Sequence, residues 1–109
     1  MTRMFAIFLL SVISFVSPAI ADEVLLRVES TEVVATDFGR EIVGIAHNTT
    51  DASISSASLT FNLYDHSGAK VGEAHAHGSH IEPGVPWRFR ALFTEPSATS
   101  YRLVNILAF

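Results

Sequence analysis

Residues 73–80 read Glu-Ala-His-Ala-His-Gly-Ser-His and gather three of the chain's five histidines. On an extended segment side chains alternate, so Glu73, His75 and His77 share one face, while Gly72, Ala74 and Ala76 share the other. Positions i and i+2 lie roughly 6.5–7 Å apart along a strand. Two imidazoles at that spacing can converge on one ion with nitrogen contacts near ~2.1 Å. His80 follows Gly78-Ser79, where a bend would fold it back as a third ligand. Glu73 stands one step before the pair and could supply an oxygen. Imidazole ligands without thiolate suit Zn, Cu(II) or Ni. The plainer alternative is that Gly72, Ala74 and Ala76 pack inward and the histidines form the wet face of an ordinary strand. A short His-rich tract has no fixed geometry, and both readings stand at this point.

Other chemistry finds less support. The chain has no cysteine, which removes a thiol nucleophile, a disulfide and any Cys-based zinc site. Serines are numerous, but no G-x-S-x-G elbow occurs. The carboxylates are scattered over strands and turns with no pairing that spacing enforces. The expectation is a protein without catalytic activity. Asn48-Thr49-Thr50 is a glycosylation sequon; the competing reading is that Asn48 ends a strand and turns the chain.

The first 21 residues differ from the rest. One positive charge, Arg3, precedes an apolar run from Met4 to Val16, and Ala19-Ile20-Ala21 follows. That is the pattern of a cleaved secretory signal, whose peptidase accepts only small side chains at the two alanine positions. The run is short of the roughly 20 residues that span a bilayer. No Cys follows it to take a lipid, so no membrane anchor is expected after cleavage. Residues 22–109 would then form one small domain, secreted or periplasmic. Of the seven Lys/Arg, Arg3 leaves with the signal and all eleven Asp/Glu stay, for a net charge of −5. An acidic surface without a basic patch argues against nucleic acid as a partner.

The elements that must position the histidines read as strands throughout. Val24, Leu26 and Val28 alternate with Leu25, Arg27 and Glu29, and the segment continues to Thr36. Asp37-Phe38-Gly39 is a turn. Residues 40–50 form a strand apolar on both faces near Val43 and Ile45, which places it centrally, and Gly44 within it marks a bulge or a close approach. Leu59, Phe61 and Leu63 point one way, and Thr60, Asn62 and Tyr64 the other. Asp65-His66-Ser67-Gly68 turns the chain, and residues 69–78 return antiparallel. After a corner at Ile81–Gly84, Trp87, Phe89, Ala91 and Phe93 share a face. Residues 94–100 are a loop, and 101–109 a last strand. Six or seven such strands at this spacing predict an all-β, immunoglobulin-like antiparallel β-sandwich. One Lys and few prolines within the strands leave its edges thinly guarded. A protein partner or a homodimer is therefore expected at an edge strand or an exposed sheet face.

Residues 42–106 resemble the FxLYD-motif domain family. Phe61-Asn62-Leu63-Tyr64-Asp65 is the motif itself, followed by Gly68 and Val71-Gly72. Gly44 through Asn48-Thr49 is similar to the family's GxxxNxT strand end. Ile81-Glu82-Pro83-Gly84 with Trp87 and Phe89 is similar to its LxPGxxxxF corner, with Ile81 where Leu is usual. The resemblance implies an immunoglobulin-like sandwich on exported prokaryotic proteins, with no catalytic residues. His75, His77 and His80 are not part of the family pattern.

Overall fold

A computed structural model describes residues 25–109. The expected signal, its Ala19-Ile20-Ala21 site and Val24 lie outside the described residues. Six strands follow one another: β1 (Leu26–Thr36), β2 (Gly39–Asn48), β3 (Ile54–Tyr64), β4 (Lys70–Ile81), β5 (Trp87–Phe93) and β6 (Ser100–Ala108). The fold is all-β, a single curled sheet of antiparallel strands in the order β1-β2-β5-β4-β3-β6. Only His75 and Leu92 pair between β4 and β5. The sheet therefore consists of two three-stranded halves, β1-β2-β5 and β4-β3-β6, hinged along that seam.

Alternation builds the core between the halves. Leu59, Phe61 and Leu63 of β3 are buried together, and so are Phe89, Ala91 and Phe93 of β5. Phe61 stacks on Phe89 with centroids 6.0 Å apart and meets the edge of Tyr101 at 5.9 Å. Offset and edge-on rings of this kind contribute beyond the area they bury. Thr31 of β1 and Tyr101 of β6 share a hydroxyl hydrogen bond of 2.7 Å, which ties the two outer strands across the curl.

Three local features re-aim the strands. β1 carries a bulge between Val28 and Ser30, an extra residue that bends a strand and sharpens its twist. Gly44 of β2 packs against it. A Cβ there would overlap the Ser30 carbonyl oxygen and press on Phe89 Cζ at 2.6 Å, so the close approach read from the sequence is present. β6 is bulged opposite Thr60 and Phe61, so that Tyr101 and Leu103 face inward before the shift and Ile106 and Ala108 after it.

The β3–β4 turn follows the chemistry expected of Asp65. Its Oδ1 accepts from the Ser67 hydroxyl at 2.7 Å, the Ser67 amide at 2.9 Å and the Ala69 amide at 3.0 Å, and Gly68 takes φ +89°. The Ser67 hydroxyl and the Ala69 amide hold the Asp65 carboxyl below its ordinary value of 3.8. A carboxyl whose pKa falls on folding stabilises the native state in full above the unfolded value. That contribution is lost as the pH drops through the folded one. Asp65→Ala is therefore expected to melt below the wild type at neutral pH, with the two curves converging as the pH falls under 3.8. A gap between the variants that persists unchanged into acid would show that the carboxylate charge plays no part in the turn.

Candidate functional site

The alternation of β4 is as the sequence predicts. Ala74 and Ala76 are buried, and Glu73, His75 and His77 are exposed. The register sets a polar grid on this outer face, with Glu73 beside Asn62, His75 beside Thr60 and His77 beside Ser58. Lys70 Nζ donates to Glu73 Oε2 at 2.7 Å, and Glu73 Oε1 lies 3.3 Å from His75 Nε2. The bond and charge of Lys70, with a smaller contribution from His75, hold the Glu73 carboxyl below its ordinary range. His75 Nδ1 lies 3.2 Å from Thr60 Oγ1.

Glu73 and His75 are thus brought together, while the His77 and His80 side chains form no hydrogen bond or ion pair with the described residues. β4 runs through Gly78 and Ser79 without a break to Ile81. The change of direction falls instead at His80, whose φ is 53°. There the alternation slips: Ala74 and Ala76 are buried at even positions and Ile81 at an odd one. The Trp87 ring, over Gly78, occupies the inner side of the strand at that level. Among the described residues no three His, Asp or Glu side chains converge as a ready-made ligand set.

Thr60, His75 and Glu73 make a hydroxyl–imidazole–carboxylate line that sequence reading missed, because cross-strand neighbours cannot be read from one strand. The line lies on an open sheet face. β3 is flanked by β4 and β6, so the amides around Thr60 point along the sheet toward the two neighbouring strands and not out of its open face.

The second feature missed is on the other half. The outward residues of β2, Val43 and Ile45, are only half-buried. They floor a groove of about 430 Å³ that Ser30, Thr31 and Glu32 flank on one side and Arg88 and Arg90 on the other. Arg90 donates to Glu41 Oε2 from Nη2 at 2.8 Å and from Nε at 3.1 Å, which raises its pKa further. Glu32 and Arg88 pair with nothing in the described chain. The signal for this face was the two-sided apolar character of residues 40–50.

Asn48 is a structural residue. It is 5% exposed. Its Nδ2 donates to the carbonyls of Ala52 and Ile81, both at 2.8 Å. Its Oδ1 accepts from the Thr50 amide at 2.9 Å and from the Thr50 hydroxyl at 2.7 Å. Both hydrogens of the sequon nitrogen are committed in the folded chain.

Comparison with protein-family models, curated proteins and solved structures finds no match to this chain. Fold and site together define a class: a small all-β domain with a polar, histidine-bearing outer face on one half and a charged-rimmed apolar groove on the other.

Proposed function

We propose that the chain is an exported, non-catalytic, immunoglobulin-like β-sandwich of the FxLYD type that works as a binding or structural module for a protein partner. The observation that carries this reading is the groove over Val43 and Ile45. Apolar side chains on the outward face of a central strand are ordinarily covered, and here Val43 and Ile45 are left partly open between the charged flanks. The strand partition favours the sandwich. The first, second and fifth strands form one half and the third, fourth and sixth the other, the division between the two sheets of immunoglobulin-type domains. Export to the periplasm or the exterior rests on the signal pattern of residues 1–21.

A second reading has an observation of its own. Glu73 and His75 lie side by side on an exposed face, with His77 two residues further. With His80 brought in, this set would hold a divalent ion, Zn, Cu or Ni.

Native mass spectrometry of the protein recovered from its own cells, and again after zinc is added, tests both. The module reading expects a bound protein chain that is lost on Val43→Asp. The metal reading expects one ion per chain or per pair of chains, lost in the His75→Ala/His77→Ala double variant. A bare monomer under both conditions would sink both readings.

A further inference from the structure

Two side chains on the outer face of β4 already stand at the spacing of metal ligands. Donors about 2.0–2.1 Å from one tetrahedral zinc ion lie about 3.3–3.4 Å from each other. His75 Nε2 and Glu73 Oε1 are 3.3 Å apart. A charge-assisted hydrogen bond is ordinarily shorter, about 2.7–2.9 Å. The other polar atom of each side chain is engaged elsewhere. His75 Nδ1 lies 3.2 Å from Oγ1 of Thr60, the residue opposite it on β3. Glu73 Oε2 accepts from Lys70 Nζ at 2.7 Å. Nε2 and Oε1 are the atoms left facing each other.

We propose that Glu73 Oε1 and His75 Nε2 form the fixed half of a zinc site, that His77 closes it, and that Thr60 and Lys70 set its strength. This rests on the metal reading above and narrows its ligand set. A metal-bound histidine almost always gives its second ring N–H to an oxygen, which fixes the tautomer and the ring orientation. The Thr60 hydroxyl can accept when Nδ1 carries the hydrogen and donate when it does not, so it suits both the free and the metal-bound ring. His77 lies two residues beyond His75 on the same exposed face. Its side chain bonds to nothing among the described residues and can turn toward the ion. Three protein donors leave the fourth position to water, the arrangement of an open zinc site.

His80 has no part in this site. β4 runs unbroken through Gly78 and Ser79, which puts His80 about 16 Å along the strand from His75. Its φ of 53° also takes it off the alternation that the other two histidines share. Thr60 and Lys70 act in opposite directions. Thr60 holds the His75 ring in its binding orientation. Lys70 sets a positive charge beside Glu73, and that charge repels a second cation there.

Calorimetric titration of the chelator-stripped protein with zinc chloride is the test, and one ion per chain is expected. Thr60→Val should weaken binding ~10-fold, the low end for the loss of a ligand's supporting oxygen, and Thr60→Ser should restore it to within ~2-fold. Glu73→Gln and His77→Ala, which remove donors, should each cost at least ~10-fold. Lys70→Gln should tighten binding ~5-fold at low salt, and His80→Ala should leave it unchanged. Nitrogen NMR should place the zinc on His75 Nε2, with the hydrogen on Nδ1. The altered side chains lie on the outward face of the sheet, so the variants should melt close to the wild type. Wild-type binding no tighter than that of a free peptide of residues 73–80 overturns the proposal. So does a loss on His80→Ala, or zinc found on His75 Nδ1. If zinc binding is lost in the His75→Ala/His77→Ala double variant yet ignores Thr60→Val, Glu73→Gln and Lys70→Gln, this geometry falls and the metal reading survives. If the wild type binds no zinc, both fall.

Discussion

Phe61→Ala is expected to cost about 3–5 kcal/mol, the range for truncating a buried aromatic ring. The stability of a domain this small starts near ~5 kcal/mol, so the variant approaches unfolding at room temperature. The loss would be large because Phe61 is fully buried at the junction of the two halves. It stacks on Phe89 of β5 and meets the edge of Tyr101 of β6. Only one ladder pair joins β4 to β5, so side-chain packing must hold the halves together. An alanine there leaves a cavity between the two halves of the sheet that backbone bonding cannot draw closed. Asn62→Ala, one residue along and facing outward, gives up a 3.3 Å bond to Tyr64 and should cost under about 1 kcal/mol. Urea midpoints at unchanged slope are the measurement. Equal midpoints for the two variants would mean that the β3 face assignment is wrong.

Asn48→Ala is the second large effect, expected at about 2–4 kcal/mol. The substitution removes more than one bond. It leaves the Ile81 carbonyl without its buried donor and the Ala52 carbonyl with the Thr50 hydroxyl alone. It also frees the Thr50 amide. An unsatisfied buried acceptor costs its full desolvation, which exceeds the net worth of an ordinary hydrogen bond. The same residue joins the end of β2 to the end of β4, so its loss should loosen the corner that leads into β5. Thr50→Ala keeps both Nδ2 bonds and should cost no more than about 1.5 kcal/mol. If Asn48→Ala unfolds at the wild-type urea concentration, the buried bridge contributes nothing, and the sequon would be open to chemistry in the folded chain.

Much of the architecture could be read along the chain, because a period of two is a local property. The faces of β3, β4 and β5 follow from Leu59-x-Phe61-x-Leu63, from Ala74-x-Ala76 and from Phe89-x-Ala91-x-Phe93. The turn at Asp65–Gly68 follows from a carboxylate that can reach amides two and four residues on. The wet face of the histidine strand was legible for the same reason. Alternation fails where one residue is added or one φ changes sign. The bulges opposite Ile45 and Phe61 and the left-handed His80 each shift the later residues to the other face, and none has a signature in the surrounding residue types.

What lay beyond the linear reading is whatever depends on which strands become neighbours. Thr60 meets His75, and Glu32, Val43 and Arg90 form a row, through pairings between residues up to some sixty positions apart. Nothing in a single strand encodes such a pairing. The acidic balance, the lack of cysteine and the strand periods are sums or repeats over the chain, and the amino acids alone determine them. The groove and its two charged flanks come into being only when β5 leaves the strands next to it in sequence and pairs with β2.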